Sequence, residues 1–281
     1  MRYFGIAVAS GMLAVAVNAQ SFATGFEPPE NTVGPLIGQH GWTEAPGEPG
    51  ACTIQTQVRR AGMQAAKFPA APLSSDCWWT LPFTPEIALS PGDTRVEWDY
   101  RVNDSALWSQ GWGIEVKSGG GARFMNVFMY GVNMYYYVRP WPASPLPTGI
   151  TFTLNAWHHF DLVLHGATRT ISLYVDGQIG ADHVPMLAGA TGGVGSFSTY
   201  VMIPGDDAAY LDNLTITAPG CDPDVNCDGA VNGFDIEAME QAVNGDQSGF
   251  CPPDADFNGD GAINGFDVEA VEQSVNGAPC P

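Results

Sequence analysis

Basic residues are scarce in this chain: 10 Lys and Arg stand against 30 Asp and Glu, for a formal net charge of -20. Such a field repels phosphate backbones and anionic headgroups, which argues against nucleic acid and an anionic membrane surface as partners. The deficit is uneven, because residues 221–281 hold 13 acidic side chains and no Lys or Arg. Long apolar runs are missing too, except at the start, where Met1-Arg2 precedes the apolar run Ile6 to Val17 and the small-residue site Val17-Asn18-Ala19. Residues 1–19 therefore read as a secretory signal peptide, too short to cross a bilayer, and the expectation is an exported protein, extracellular or at the cell surface, without membrane insertion. Histidine is sparse as well. His158 and His159 are neighbours and face opposite sides of a strand, and His40, His165 and His183 stand apart, so neither a zinc site nor a Ser/His/Asp set is legible.

Six cysteines in an exported chain suggest disulfides. Cys52 with Cys77 is the expected bridge of the first region. Cys221, Cys227, Cys251 and Cys280 allow three pairings, of which Cys221 with Cys280 and Cys227 with Cys251 is the expected one.

What the chain does contain is alternation. In Val96-Glu97-Trp98-Asp99-Tyr100-Arg101-Val102 the apolar set faces one way and Glu97, Asp99 and Arg101 the other. Period two means a half-buried antiparallel strand. The pattern recurs in Trp112 to Val116, Phe124 to Tyr130, Met134 to Val138, Phe160 to Leu164, Ile171 to Val175 and Leu211 to Ile216, with Asp176-Gly177 as a hairpin turn. Many short strands separated by turns predict an antiparallel β-sandwich over residues 20–217, followed by a linker at 218–220.

Near the C-terminus, Asp224-Val225-Asn226-Cys227-Asp228-Gly229-Ala230-Val231-Asn232-Gly233-Phe234-Asp235 recurs 32 residues later as Asp256 to Asp267. A calcium loop needs oxygen side chains at positions 1, 3, 5, 9 and 12, a backbone carbonyl at 7 and a sharp turn at 6. These are Asp224, Asn226, Asp228, Asn232 and Asp235 with the Ala230 carbonyl, then Asp256, Asn258, Asp260, Asn264 and Asp267 with the Ala262 carbonyl. Both copies carry Asp at position 12, where the ordinary loop has Glu. After each loop, apolar residues fall at helical spacing, with Asn244-Gly245 and Asn276-Gly277 as stops. Two Ca2+ ions are the expected cofactors, and position 8, Val231 and Ile263, is expected to join the loops by a short backbone bridge.

The duplicated Asp-x-Asn-x-Asp-Gly-x-Val/Ile-Asn-x-x-Asp pattern resembles the dockerin module of cellulosome-type assemblies, over about residues 221–281. The resemblance implies a small α-helical, calcium-folded module that docks to a cohesin-like or other scaffold or cell-envelope protein. Loop positions 10 and 11, implied to touch the partner, are Gly233-Phe234 and Gly265-Phe266, where well-known dockerins have Ser-Thr. For Phe234 and Phe266, packing against the opposite helix is the competing role.

The hairpin Trp157 to Leu164 and Thr170 to Gly177, with Gly25-Phe26-Glu27 and Tyr210 to Ile216, is similar to the concanavalin A-like (laminin-G-like) jelly-roll superfamily. That implies a fold shared by glycan hydrolases, lyases and non-catalytic sugar-binding domains. Family 16-like glycanases carry Glu-x-Asp-x-x-Glu on one strand. Here Glu97 and Asp99 begin the pattern and Val102 ends it, so no catalytic residue is assigned. Glu97 and Asp99 fit either a solvated, charge-paired face or the lining of a ligand groove. Among the aromatics, Trp78, Trp79 and alternate members of Tyr135 to Tyr137 are expected to point inward, while Trp108 and Trp141, in Ser/Pro-rich surroundings, are the candidates for stacking on sugar. Glu27 and Asp212 offer ligands for a third calcium ion. The expected function is a secreted calcium-dependent binding protein whose sandwich takes carbohydrate or another extracellular ligand; the alternative is a polysaccharide-degrading hydrolase or lyase.

Overall fold

The structure is a computed structural model and describes residues 21–44, 52–69, 77–89, 93–103, 111–139, 144–201, 208–218, 223–252, 255–258 and 262–278. Gln20–Pro219 and Gly220–Pro281 form separate compact units. No helix among the described residues is long and apolar enough to cross a membrane.

The first unit is built of strands β1 (Ser21–Thr24), β2 (Gly34–Pro35), β3 (Thr43–Glu44), β4 (Thr53–Gln55), β5 (Ala65–Phe68), β6 (Cys77–Ile87), β7 (Asp93–Val102), β8 (Trp112–Ser118), β9 (Arg123–Tyr130), β10 (Asn133–Tyr137), β11 (Leu146–Thr151), β12 (His158–His165), β13 (Thr170–Val175), β14 (Gln178–Pro185), β15 (Val194–Val201) and β16 (Ala209–Thr217). A nine-stranded sheet runs β14-β13-β12-β7-β16-β5-β4-β2, with β1 added on β16, and a seven-stranded sheet runs β11-β10-β9-β8-β15-β6-β3. All the pairings are antiparallel, and the first and last strands lie side by side, Ser21 opposite Thr217. This is the two-sheet antiparallel sandwich that the alternation implies, in the jelly-roll form that the resemblance implies.

The alternation explains the layers. On β7, Val96, Trp98, Tyr100 and Val102 are buried in the core, where they meet Phe160, Leu162 and Leu164 of β12 and Ile114 and Val116 of β8. Trp98 stacks on Phe160 with centroids 5.1 Å apart. Asp176 and Gly177 both take positive φ, 49° and 76°, as the tight turn between β13 and β14 requires. Trp79 is fully buried, but Trp78 is not. Neighbours on a strand cannot both face the core, so Trp78 turns outward and stacks on Tyr200.

The expected Cys52–Cys77 bridge is not formed: both side chains are buried as cysteines outside any disulfide. Cys52 precedes β4 of one sheet and Cys77 opens β6 of the other. Facing sheets lie about 10 Å apart, and a disulfide needs Cα atoms within about 7 Å. Cys227 and Cys251 are bridged, with Cα atoms 6.0 Å apart. Cys221 and Cys280 lie outside the described residues.

The second unit holds α1 (Gly233–Val243) and α2 (Gly265–Val275). Helices of 11 residues are marginal alone. They are held by a shared core of Val225, Ala238, Met239, Ala242, Ala255 and Val271. Each ends in a Schellman motif: Asp246 N donates to the Gln241 carbonyl and Gly245 N to Ala242, and Ala278 N and Gly277 N do the same to Gln273 and Ser274. Gly245 and Gly277 take φ of 93° and 87°, which a side chain would oppose.

Candidate calcium sites and ligand surfaces

In the first loop the side chains fold back on the backbone around one point. Asp224 accepts from Asp228 N through Oδ1 (3.1 Å) and from Gly229 N through Oδ2 (2.9 Å). Asn226 Oδ1 accepts from Asp228 N, and Asp228 Oδ1 from Ala230 N, each at 2.9 Å. Asp235, at position 12, accepts from Asn226 N through Oδ1 (3.3 Å) and from Asn232 N through Oδ2 (2.8 Å). The second loop repeats the contacts of position 12: Asp267 accepts from Asn258 N at 3.1 Å and Asn264 N at 2.8 Å. Asp260 lies outside the described residues.

Position 9 does a second job. Asn232 Oδ1 accepts from Phe234 N at 2.9 Å, and Asn264 Oδ1 from Phe266 N at 2.8 Å, which makes both asparagines helix N-caps. Asp235 and Asp267 complete capping boxes, each reaching back to the cap N–H. Asn232 Nδ2 meanwhile donates to the Ala230 carbonyl at 2.8 Å, as Asn264 Nδ2 does to Ala262 at 2.9 Å. An ion in the loop would meet position 9 through water, a common arrangement at that position.

The residues fit calcium. Asp235 and Asp267 are both 0% exposed, in a segment with no Lys or Arg to pair with them. Buried charges are paired or coordinate metal, and here a metal is the available cation. Among the described residues, three His, Cys, Asp or Glu side chains nowhere converge as a metal cluster by themselves. An ion in either loop would also need the amide and carbonyl oxygens of Asn226 and Ala230, or of Asn258 and Ala262. The loops are not joined through position 8: among the described residues Val231 and Ile263 form no backbone bridge, and each is 48% exposed. Direct packing of α1 on α2 takes that role. Phe234 and Phe266, at 65% and 66% exposed, project to solvent and do not pack on the opposite helix.

On the nine-stranded sheet, Asp99 lies between His159 and Asp212 in register. It is 5% exposed. It accepts from Asn213 Nδ2 at 2.7 Å, with His159 Nδ1 at 3.3 Å and Arg60 Nε at 3.7 Å. Glu97 sits 3.6 Å from His159 Nε2, and Asp161 pairs with Arg95. These partners make the strand face a charge-paired ladder. Val102 points into the core, so the third position of the Glu-x-Asp-x-x-Glu pattern supplies no carboxylate. Burial lifts the Asp161 carboxyl, and Arg95 opposes it. Glu27 Oε1 accepts from Met63 N (2.7 Å) and Gln64 N (3.0 Å), and Asp212 Oδ2 from Arg60 N (2.9 Å) and Ala61 N (3.2 Å). The candidate pair for a third ion thus clamps one loop. Burial pushes Asp212 up to about 6 against those backbone bonds. Trp108 and Trp141 lie outside the described residues.

The seven-stranded sheet carries an outward face that the sequence did not single out. Glu115 is 1% exposed, with Lys117 Nζ at 2.7 Å and Arg123 Nε at 2.6 Å. Beside it, Tyr200 donates to Asn126 Oδ1 at 2.7 Å, both residues 1% exposed. Burial raises the Tyr200 hydroxyl well above its ordinary range. Phe128 stacks on Tyr135 at 5.3 Å, Arg123 covers Tyr137 at 5.1 Å, and Trp78 stacks on Tyr200 at 4.1 Å. The signal was the off-core positions of β8 and β9, where Glu115 and Asn126 alternate with core residues. The structure also brings His165 between Asp93 (2.7 Å) and Ser172 (3.0 Å), with His183 stacked on it at 4.5 Å. Ser172 is 0% exposed, and its hydroxyl also accepts from His183 N at 3.1 Å.

Residues 222–276 match the family described as the dockerin type I domain. The chain is similar in fold to a cellulose-induced protein, Cip1, with 16% identity, a TM-score of 0.53 and coverage of 70% of this chain and 97% of that one. A carbohydrate esterase from the Shiga toxin-encoding bacteriophage phi24B aligns at 12% identity and a TM-score of 0.52, covering 70% and 96%. A sialidase aligns at 9% identity and a TM-score of 0.55, over 94% of this chain and 25% of its own length. At such identities the likeness shows the fold alone. The sequence has no match among curated proteins.

Proposed function

We propose, from the dockerin type I match, that the C-terminal unit is a calcium-folded docking module that attaches a secreted, carbohydrate-binding sandwich to a cohesin-type scaffold or cell-envelope protein. The observation that carries it is the duplicated loop–helix geometry, with two fully buried carboxylates and no basic side chain among them. One ion per loop supplies the missing positive charge: Asp224, Asn226, Asp228, Ala230 and Asp235 hold the first, with Asn232 at the cap, and Asp256, Asn258, Asp260, Ala262 and Asp267 hold the second, with Asn264. Gly233-Phe234 and Gly265-Phe266 form two equivalent contact patches. Their exposure supports this role, because rings that do not pack within the module are available to a partner.

For the sandwich, carbohydrate is supported by the aromatic band on the outward face of the seven-stranded sheet, where rings can stack on sugar faces. Trp108 and Trp141 are further stacking candidates, Glu97 and Asp99 candidate polar contacts, and Glu27 and Asp212 candidate ligands of a third ion. The hydrolase or lyase alternative draws on the buried Glu115 and Tyr200 networks, and release of reducing sugar or of an unsaturated product from a polysaccharide panel decides it. The docking reading is tested by probing the immobilised full chain with a panel of cohesin domains in calcium and in EGTA. Capture in calcium alone is expected; capture indifferent to EGTA contradicts it, and capture by no cohesin removes the cohesin partner and leaves only the cell-envelope one.

A further inference from the structure

Every basic residue of the chain precedes residue 221, and three of the ten converge on one cavity. The cavity, about 630 Å³, is lined by Arg59, Arg60 and Arg101 together with Gln57, Val58 and Gly62. That volume lies in the ordinary range of small-molecule sites. The concentration runs against composition, since acids outnumber bases three to one and a guanidinium has carboxylates to choose from.

The arginines are not used up by the protein. Among the described residues Arg59 donates only to loop carbonyls, Nε to Gly62 at 3.0 Å and Nη1 to Thr56 at 2.6 Å. Arg101 Nε donates to Asn103 Oδ1 at 2.8 Å. Among the described residues neither meets a carboxylate within ion-pair distance, and Arg60 reaches only one, Asp99, at 3.7 Å. Each guanidinium has five N–H donors, so among the described residues most of them have no protein partner.

The loop that presents Arg59 and Arg60 is fixed from behind. The buried Gln55 takes Gln57 N and Val58 N on Oε1, at 2.7 and 2.9 Å, and donates to the Val58 carbonyl. Asp212 holds Arg60 N and Ala61 N, and Glu27 holds Met63 N and Gln64 N. Gly62 has φ +57°, and a Cβ there would lie 2.1 Å from Glu27 Oε1, so the clamp tolerates no side chain at that point. Glu27 and Asp212 are thus spent on backbone N–H groups and not on the guanidinium groups beside them. A preorganised fork is suited to a planar carboxylate, which it can grip bidentately.

We propose that this cavity binds the carboxylate of an acidic, uronate-bearing polysaccharide, at a site separate from the aromatic band of the other sheet. The proposal rests on the reading that the sandwich engages polysaccharide, and it adds the charge of the sugar. The arginines supply local attraction that the chain's overall negative field lacks, so binding should weaken with salt.

Affinity electrophoresis of the full chain tests it, with gels containing polygalacturonate, dextran sulfate or neutral xylan. Polygalacturonate is expected to retard the wild type, and Arg60→Gln/Arg101→Gln to weaken that retardation at least tenfold while its thermal unfolding and its behaviour on xylan stay as in the wild type. Arg60→Lys/Arg101→Lys, which keeps charge and loses the fork, should recover only part. Equal retardation of wild type and the Gln variant, or retardation by dextran sulfate and not by polygalacturonate, overturns the carboxylate site. Retardation by xylan alone overturns the acidic ligand and leaves the carbohydrate reading standing, whereas no retardation in any gel overturns both.

Discussion

At the scale of single residues, Asp212 and the paired phenylalanines behave in ways that can be measured. Burial lifts Asp212 from 3.8 to about 6, so the folded sandwich keeps this proton in a range where the unfolded chain has released it. Its stabilising contribution is complete below 3.8 and is lost as the pH rises through about 6. The unfolding free energy of wild type minus that of Asp212→Asn, measured without calcium, should therefore fall between those two pH values and level off above them. A difference that is flat or rises across that window would show that burial does not control this carboxyl. Phe234 and Phe266 are solvent-facing, so replacing either by Ser should change module stability by no more than about 0.5 kcal/mol. Replacing both should remove the docking anchors, a loss of about 2 kcal/mol or more if they are hot spots, read as at least a tenfold drop in affinity for whichever cohesin the wild type captures.

At the scale of elements, each helix of the C-terminal unit begins on an asparagine that also occupies a calcium-loop position. Asn232→Ala and Asn264→Ala should each cost about 1 kcal/mol of module stability in saturating calcium, and the Ser variants should restore it, as thermal unfolding would show. If Ser fails to rescue, the asparagines act as metal ligands more than as caps. The strands and these loops were legible because their patterns are local: period two along β7 and β12, and alternate oxygens along twelve residues. Contacts that depend on three-dimensional neighbours were not. Tyr200 meets Asn126 across 74 residues, and Arg101 joins Arg59 and Arg60 only once β7 lies near the loop before β5. The unformed Cys52–Cys77 link belongs to the same class, since which sheet each strand enters is not written locally. Trp78 could have been placed from the same alternation that placed Trp98.

At the scale of the whole molecule, the two units draw stability from different sources. The sandwich has a large apolar core, whereas the C-terminal unit has a small one of a few side chains and two buried carboxylates that need a cation. Metal binding and folding should therefore be coupled in the second and not in the first. The most direct measurement is limited proteolysis of the full chain in calcium and in EGTA, with the cleavage sites mapped by mass spectrometry. The account predicts protection throughout 223–278 in calcium, cleavage confined to that stretch in EGTA, and an unchanged sandwich in both. Equal protection of 223–278 with and without calcium would contradict it.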